Sequence, residues 1–151
     1  PSKTRRVGQA GLDVLTAQPR VDTSRLAAIG YCFGGTMALE LARGGAPFAA
    51  VVGFHSGLGT ARPEDAKNIT GRVLVCIGAE DPIIPPEQRL DFEKEMRAGG
   101  VDWRMNLYGG AAHSFTNPAA SAMGMPGIEY HEATDRRSWD AMLDLFGEVF
   151  G

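Results

Sequence analysis

Four short apolar runs recur along the chain, RLAAIGY (25–31), FAAVVGF (48–54), RVLVCIG (72–78) and VDWRMNLY (101–108), with helical patterns between them. The first three are nearly continuous in their hydrophobicity, as expected of strands covered on both faces. A sheet apolar on both sides needs helices above and below it, and strands joined through helices run parallel. The fourth run alternates and is expected nearer the sheet edge. The reading is a single α/β domain over residues 1–151, a mostly parallel sheet flanked by helices.

The intervening segments supply the helices. Val7, Ala10, Gly11, Val14 and Leu15 share one helical face, and Gln18-Pro19 ends that pattern. GGTMALELARGG reads as a helix closed by Gly44-Gly45, where glycine accepts the left-handed conformation. PPEQRLDFEKEMRA reads as a surface helix, with Leu90, Phe92 and Met96 among charges. From Glu129 onward a last helix is expected, with Trp139, Met142, Leu143, Phe146, Val149 and Phe150 on one face. No internal repeat, linker or low-complexity stretch interrupts the order.

Composition narrows the partners. A net charge of −3 gives no basic field for nucleic acid or an anionic lipid surface. No apolar run approaches the ~20 residues of a membrane-spanning helix. Two cysteines make no disulfide framework, so a reducing, cytoplasmic compartment is expected. Glycine stands out at 20 residues, clustered where the strands end.

One of those clusters carries chemistry. Gly30-Tyr31-Cys32-Phe33-Gly34 fits G-x-nucleophile-x-G between an expected strand and an expected helix. A nucleophile on such a turn adopts a strained backbone, and small residues two positions to either side relieve the crowding. The thiol then projects at the carboxyl edge of the sheet, where α/β proteins bind ligands. The helix start behind it favours a thiolate, and the N–H of Phe33 can donate to an oxyanion. The competing reading makes Cys32 a small packing residue beside glycines that let helix and strand approach. A phosphate loop fits worse, since neither G-x-G-x-x-G nor G-K-[ST] is present.

A reactive thiol needs a base, and the base an orienting group. Asp81 in CIGAEDPIIP follows the third run and can reach across a loop; Glu80 is expected to be solvated or capping. His113 in YGGAAHSF follows the fourth run, on the same sheet edge. His55 follows the second run and can line the rim, whereas His131 is expected to cap the last helix or face solvent. The order Cys32, Asp81, His113 is that of α/β-hydrolases, nucleophile then acid then base. Cys76, mid-strand between Val75 and Ile77, is expected to be buried and inert.

With IGYCFGG, VLVCIGAEDPIIP and YGGAAHSF in that order, the chain resembles the dienelactone hydrolase family of the α/β-hydrolase superfamily. The resemblance implies Cys32 as nucleophile, His113 as general base and acid, and Asp81 as the histidine's partner. It implies hydrolysis of an ester or lactone through a thioester acyl-enzyme, with no metal or organic cofactor. It also implies strands before the nucleophile turn that these residues do not contain. The chain is therefore expected to match the C-terminal portion of such an enzyme, its second oxyanion donor coming from elsewhere. Dienelactone hydrolases place an arginine shortly after the histidine to hold a substrate carboxylate. HSFTNP has Asn117 there, so a different small-molecule ester or lactone is expected. Tyr31, Phe33, His55, Ser114 and Phe115 are candidates for the pocket wall. A second reading is a non-catalytic interaction module, with homodimers forming through an exposed sheet edge under either reading.

Overall fold

A computed structural model describes residues 3–151. Its sheet has four strands, β1 (Ala27–Tyr31), β2 (Ala50–Phe54), β3 (Arg72–Gly78) and β4 (Trp103–Tyr108), all parallel and ordered β1-β2-β3-β4. Helices α1 (Lys3–Thr16), α2 (Phe33–Arg43) and α3 (Pro86–Gly99) cover one face, and α4 (Glu132–Phe150) covers the other. Alternate residues of the central strands therefore enter two different cores. Val51, Val73, Val75 and Ile77 meet Leu39, Phe92 and Met96, while Val52, Phe54, Leu74 and Cys76 meet Phe115, Met142 and Leu145. This double coverage is why β2 and β3 read as unbroken apolar runs. Each fully buried Val, Leu or Ile in them contributes roughly 1.5–3 kcal/mol.

Three packing expectations are corrected. The β1 run was expected to be buried on both faces, yet Ile29 is 45% and Tyr31 41% exposed. β1 is an edge strand among the described residues, and α4 lies against β2 and β3. In α1 the expected face is turned outward, with Val7, Val14 and Leu15 exposed and Leu12 buried. The helix docks through Gly8, which lies against the Leu41 side chain, and through Arg5, whose Nε bonds Glu40 at 2.9 Å. In α4, Trp139 and Leu143 face outward, and Thr134, Ser138, Met142 and Leu145 form the buried stripe. The buried Ser138 hydroxyl is satisfied within the helix, donating to Asp135 O at 2.9 Å.

One buried ion pair was not foreseen. Arg43, at the end of α2, is wholly buried and grips Glu95 of α3 through two hydrogen bonds of 2.7 and 2.8 Å. It also donates to Leu58 O at 2.8 Å and to Glu40 at 3.1 Å. Every donor direction the guanidinium offers on that side meets an acceptor, which is what makes a buried cation tolerable.

Candidate active site

The site is built where β1, β2, β3 and β4 end. Cys32 follows β1 directly and caps α2 with φ 51° and ψ −122°. Its N–H donates to Phe54 O at 2.9 Å, and its carbonyl accepts from the N–H groups of Gly35 and Thr36 at 3.2 and 3.3 Å. Both sides of the residue are thus pinned, and the chain has to reverse within one residue. That reversal places a non-glycine residue at positive φ, a strain that only surrounding structure maintains. A Cβ on Gly30 would overlap the carbonyl carbon of Gly34, and one on Gly35 would overlap Ser56 Oγ, whereas one on Gly34 would meet nothing. The glycine requirement therefore lies at Gly30 and Gly35, not symmetrically at Gly30 and Gly34 as the spacing suggests. The tight partner on the helical side is Ser56 at the end of β2.

His113 sits in the loop after β4, held by main-chain bonds from its N–H to Gly127 O (2.9 Å) and from the Glu129 N–H to its carbonyl (3.0 Å). Its Nε2 lies 3.3 Å from Cys32 Sγ, and its Nδ1 lies 2.8 Å from Asp81 Oδ2. The other carboxylate oxygen of Asp81 accepts the N–H groups of Ile83 and Ile84 at 2.8 and 3.2 Å. With Oδ1 fixed by two amides, Oδ2 can only accept from Nδ1, and Nε2 is left to face the sulfur. The Asp81 hydrogen bond, with burial opposing it, raises the His113 pKa above its ordinary value. Cys76 differs in every respect: it is buried in β3, and desolvation pushes its thiol up to about 12.

A cavity of about 410 Å³ opens over Cys32, lined by Tyr31, His55, Ser114, Thr116, Asn117 and Pro118. No arginine or lysine belongs to that lining among the described residues. Phe115 is outside it: wholly buried, it backs the His55 ring edge-on at 5.1 Å. Phe33 is 61% exposed and its side chain is not part of that lining; its N–H belongs to the first turn of α2. Glu80 is exposed, and His131 caps α4 by accepting the Thr134 N–H at 3.2 Å. Larger clefts of 690 and 550 Å³ lie beside α3 and between α1 and α2, away from the thiol. Among the described residues no three His, Cys, Asp or Glu side chains gather to hold a metal, and no helix is long and apolar enough to cross a membrane.

Thr116 was missed in the sequence. Its Oγ1 lies 2.9 Å from His55 Nε2, a pairing between residues 61 positions apart that no local pattern signals. The amides of Ile83 and Ile84 were missed as well, although an aspartate before a proline is a recognisable turn signal.

The sequence model of the dienelactone hydrolase family matches residues 2–150. The chain belongs to the dienelactone hydrolase family. Among similar solved structures, m3DLH is 57% identical with a TM-score of 0.94, covering 98% of this chain and 62% of its own. A dienelactone hydrolase-like promiscuous phosphotriesterase, P91, from metagenomic libraries is 50% identical with a TM-score of 0.91 and the same two coverages. An uncharacterized protein of Caenorhabditis elegans is 32% identical over 147 residues, 94% of this chain and 91% of the worm protein. The chain thus spans about three fifths of the two solved dienelactone hydrolase relatives.

Proposed function

We propose that this member of the dienelactone hydrolase family cleaves a carboxylic ester or lactone through a cysteine thioester. The observation carrying the proposal is the unbroken line of polar contacts from Cys32 Sγ through the His113 ring to Asp81. In this reading His113 Nε2 takes the Cys32 proton, and the thiolate attacks the carbonyl carbon to form a C–S bond. The oxyanion meets the Phe33 N–H at the start of α2, where the helix dipole also favours negative charge. The C–O bond breaks, the leaving alkoxide takes the proton from His113, and a thioester remains. Water, deprotonated by His113, then attacks the thioester; the C–S bond breaks, Cys32 Sγ recovers the proton from His113 and the acid departs. Asp81 holds the ring in the tautomer this sequence needs and stabilises the imidazolium.

Tyr31, His55 and Ser114 are proposed as the wall around the acyl group. A lining without a cation favours an uncharged acyl group over a carboxylate. A free-thiol nucleophile fits a reducing compartment such as the cytoplasm, and residues 1–151 are proposed to act as one domain. The test uses p-nitrophenyl acetate and iodoacetamide on the full chain. Cleavage dependent on Cys32, abolished in Cys32→Ala, together with alkylation of Cys32 well before Cys76, supports the proposal. Cleavage at the background rate with both thiols equally slow refutes it. Since the similar protein P91 is a promiscuous phosphotriesterase, paraoxon is a second electrophile for the same assay.

A second reading rests on β1. Its edge is unpaired among the described residues and carries exposed Ala27, Ile29 and Tyr31, so two copies could join strand to strand without turnover. A monomer in sedimentation at micromolar concentration removes that reading.

A further inference from the structure

His55 is a buried polar group beside the thiol to which the proposed reaction gives no chemical step. It is 3% exposed, follows β2 directly and holds φ at 41°. Its ring meets the His113 ring edge-on at 5.1 Å, and its Nε2 reaches Thr116 Oγ1 at 2.9 Å. Its Nδ1 is buried without a hydrogen-bond partner. Thr116 belongs to the same loop as His113, three residues on, and Ser114 between them is also at positive φ. The histidine loop is therefore strained at Ser114, and beside the His113 contacts to Asp81 and Cys32 it has a second polar tether, from Thr116 to the end of β2.

We propose that His55 is a positioning residue: with Thr116 it latches the 113–117 loop to the sheet and braces the His113 ring at hydrogen-bonding distance from Cys32. This deepens the cysteine-hydrolase reading and rests on it. The brace has to be uncharged, because an imidazolium forming on His113 would repel a second cation one ring away. Burial, with the neighbouring His113 second, keeps His55 neutral by pushing its pKa down to about 4. The titratable groups around it are Tyr31 of β1, Cys32 at the start of α2, Asp81 after β3 and His113 after β4. Asp81 alone of these acts in the opposite direction, favouring a proton on His55.

The distinction from a packing role lies in what the loss would change. A packing residue lowers stability and leaves the reactivity of Cys32 alone. A brace lets the His113 ring drift, and drift of about 1 Å costs on the order of 100-fold in a positioned reaction. The variants are His55→Leu, Thr116→Val, the double substitution, and His55→Gln, whose amide can replace Nε2 toward Thr116. Each is assayed for kcat and KM with p-nitrophenyl acetate and for the pH midpoint of Cys32 alkylation by iodoacetamide.

The expected result is a fall in kcat of roughly 10- to 100-fold in His55→Leu and Thr116→Val with KM little changed. The double variant should be no worse than the weaker single one, and His55→Gln should regain most of the rate. The alkylation midpoint should rise in the two disruptive variants, because a drifting imidazole stabilises the thiolate less. Folded variants with wild-type kcat and an unmoved midpoint overturn the brace. Thr116→Val, at a half-buried loop position, keeps the test open if His55→Leu does not fold. If the parent shows no Cys32-dependent turnover, the hydrolase reading fails, while the alkylation midpoints still decide on the latch.

Discussion

The depressed pKa of His55 makes a stability prediction that can be worked through with its sign. In the native protein the group titrates near 4, against 6.5 for an ordinary histidine. Below pH 6.5 the unfolded chain therefore takes up a proton at this position that the native state refuses. Stability contributed by the neutral ring is present above pH 6.5 and drains away as pH falls toward 4. Each pH unit inside that window costs about 1.4 kcal/mol, so lowering the pH from 7 to 4.5 removes roughly 2.5 kcal/mol through this group. His113 has the opposite sign. Its pKa is raised, so its contribution is lost as pH rises through its folded value and is fully present at pH 4.5. His55→Gln removes the first effect and keeps the second. Urea unfolding of parent and variant at pH 7 and pH 4.5, followed by Trp103 and Trp139 fluorescence, isolates the difference, since the remaining titrating groups are common to both. The parent should lose roughly 2.5 kcal/mol more than the variant over that interval. Equal losses, within about 0.5 kcal/mol, would show that His55 is protonated in the native state and would refute its burial as a neutral ring.

Arg43→Met should cost about 3–5 kcal/mol in urea unfolding, because it strands the Glu95 carboxylate inside; Arg43→Met with Glu95→Leu should recover most of that loss. Gly35→Ala should lower stability by about 1–3 kcal/mol through the overlap with Ser56, while Gly34→Ala, whose Cβ meets nothing, should be neutral or raise the melting temperature. Asp81→Asn should leave fold and KM in place and lower kcat for p-nitrophenyl acetate by roughly 10²- to 10⁴-fold, since the amide can present a donor to Nδ1 and favour the wrong tautomer.

Sequence legibility followed how far each constraint reaches along the chain. The strands were readable because a doubly covered sheet demands apolar residues at every position, a local property of Val51–Phe54 and Val73–Ile77. The thiol turn was readable because part of its crowding, Gly30 against Gly34, is settled within five residues, whereas the contact of Gly35 with Ser56 was not legible. The faces of α1 and α4 were not, because the buried side is not chosen by hydrophobicity alone. Gly8 against Leu41 and Thr134 and Ser138 under α4 win that choice over Val14 and Trp139. Nor was Arg43 legible, since its acceptor Glu95 lies 52 residues away.

The strained positions show why the site needed both kinds of information. Cys32, His55 and Ser114 are the described non-glycine residues at positive φ, and all three line one cavity. None is chosen for its backbone preference: an asparagine or glycine would adopt each conformation at lower cost. Two of the three follow a strand directly, where the neighbouring strand takes their amide. Phe54 O holds the Cys32 N–H, and Cys76 O holds the His55 N–H at 2.8 Å. The parallel ladder therefore supplies the force that keeps side chains of the required chemistry in conformations they would not choose. Local pattern can name a residue such as Cys32 from the glycines its strain requires. For His55 the strain is absorbed by the ladder, and the residue's part became visible only when Thr116 and His113 were found beside it.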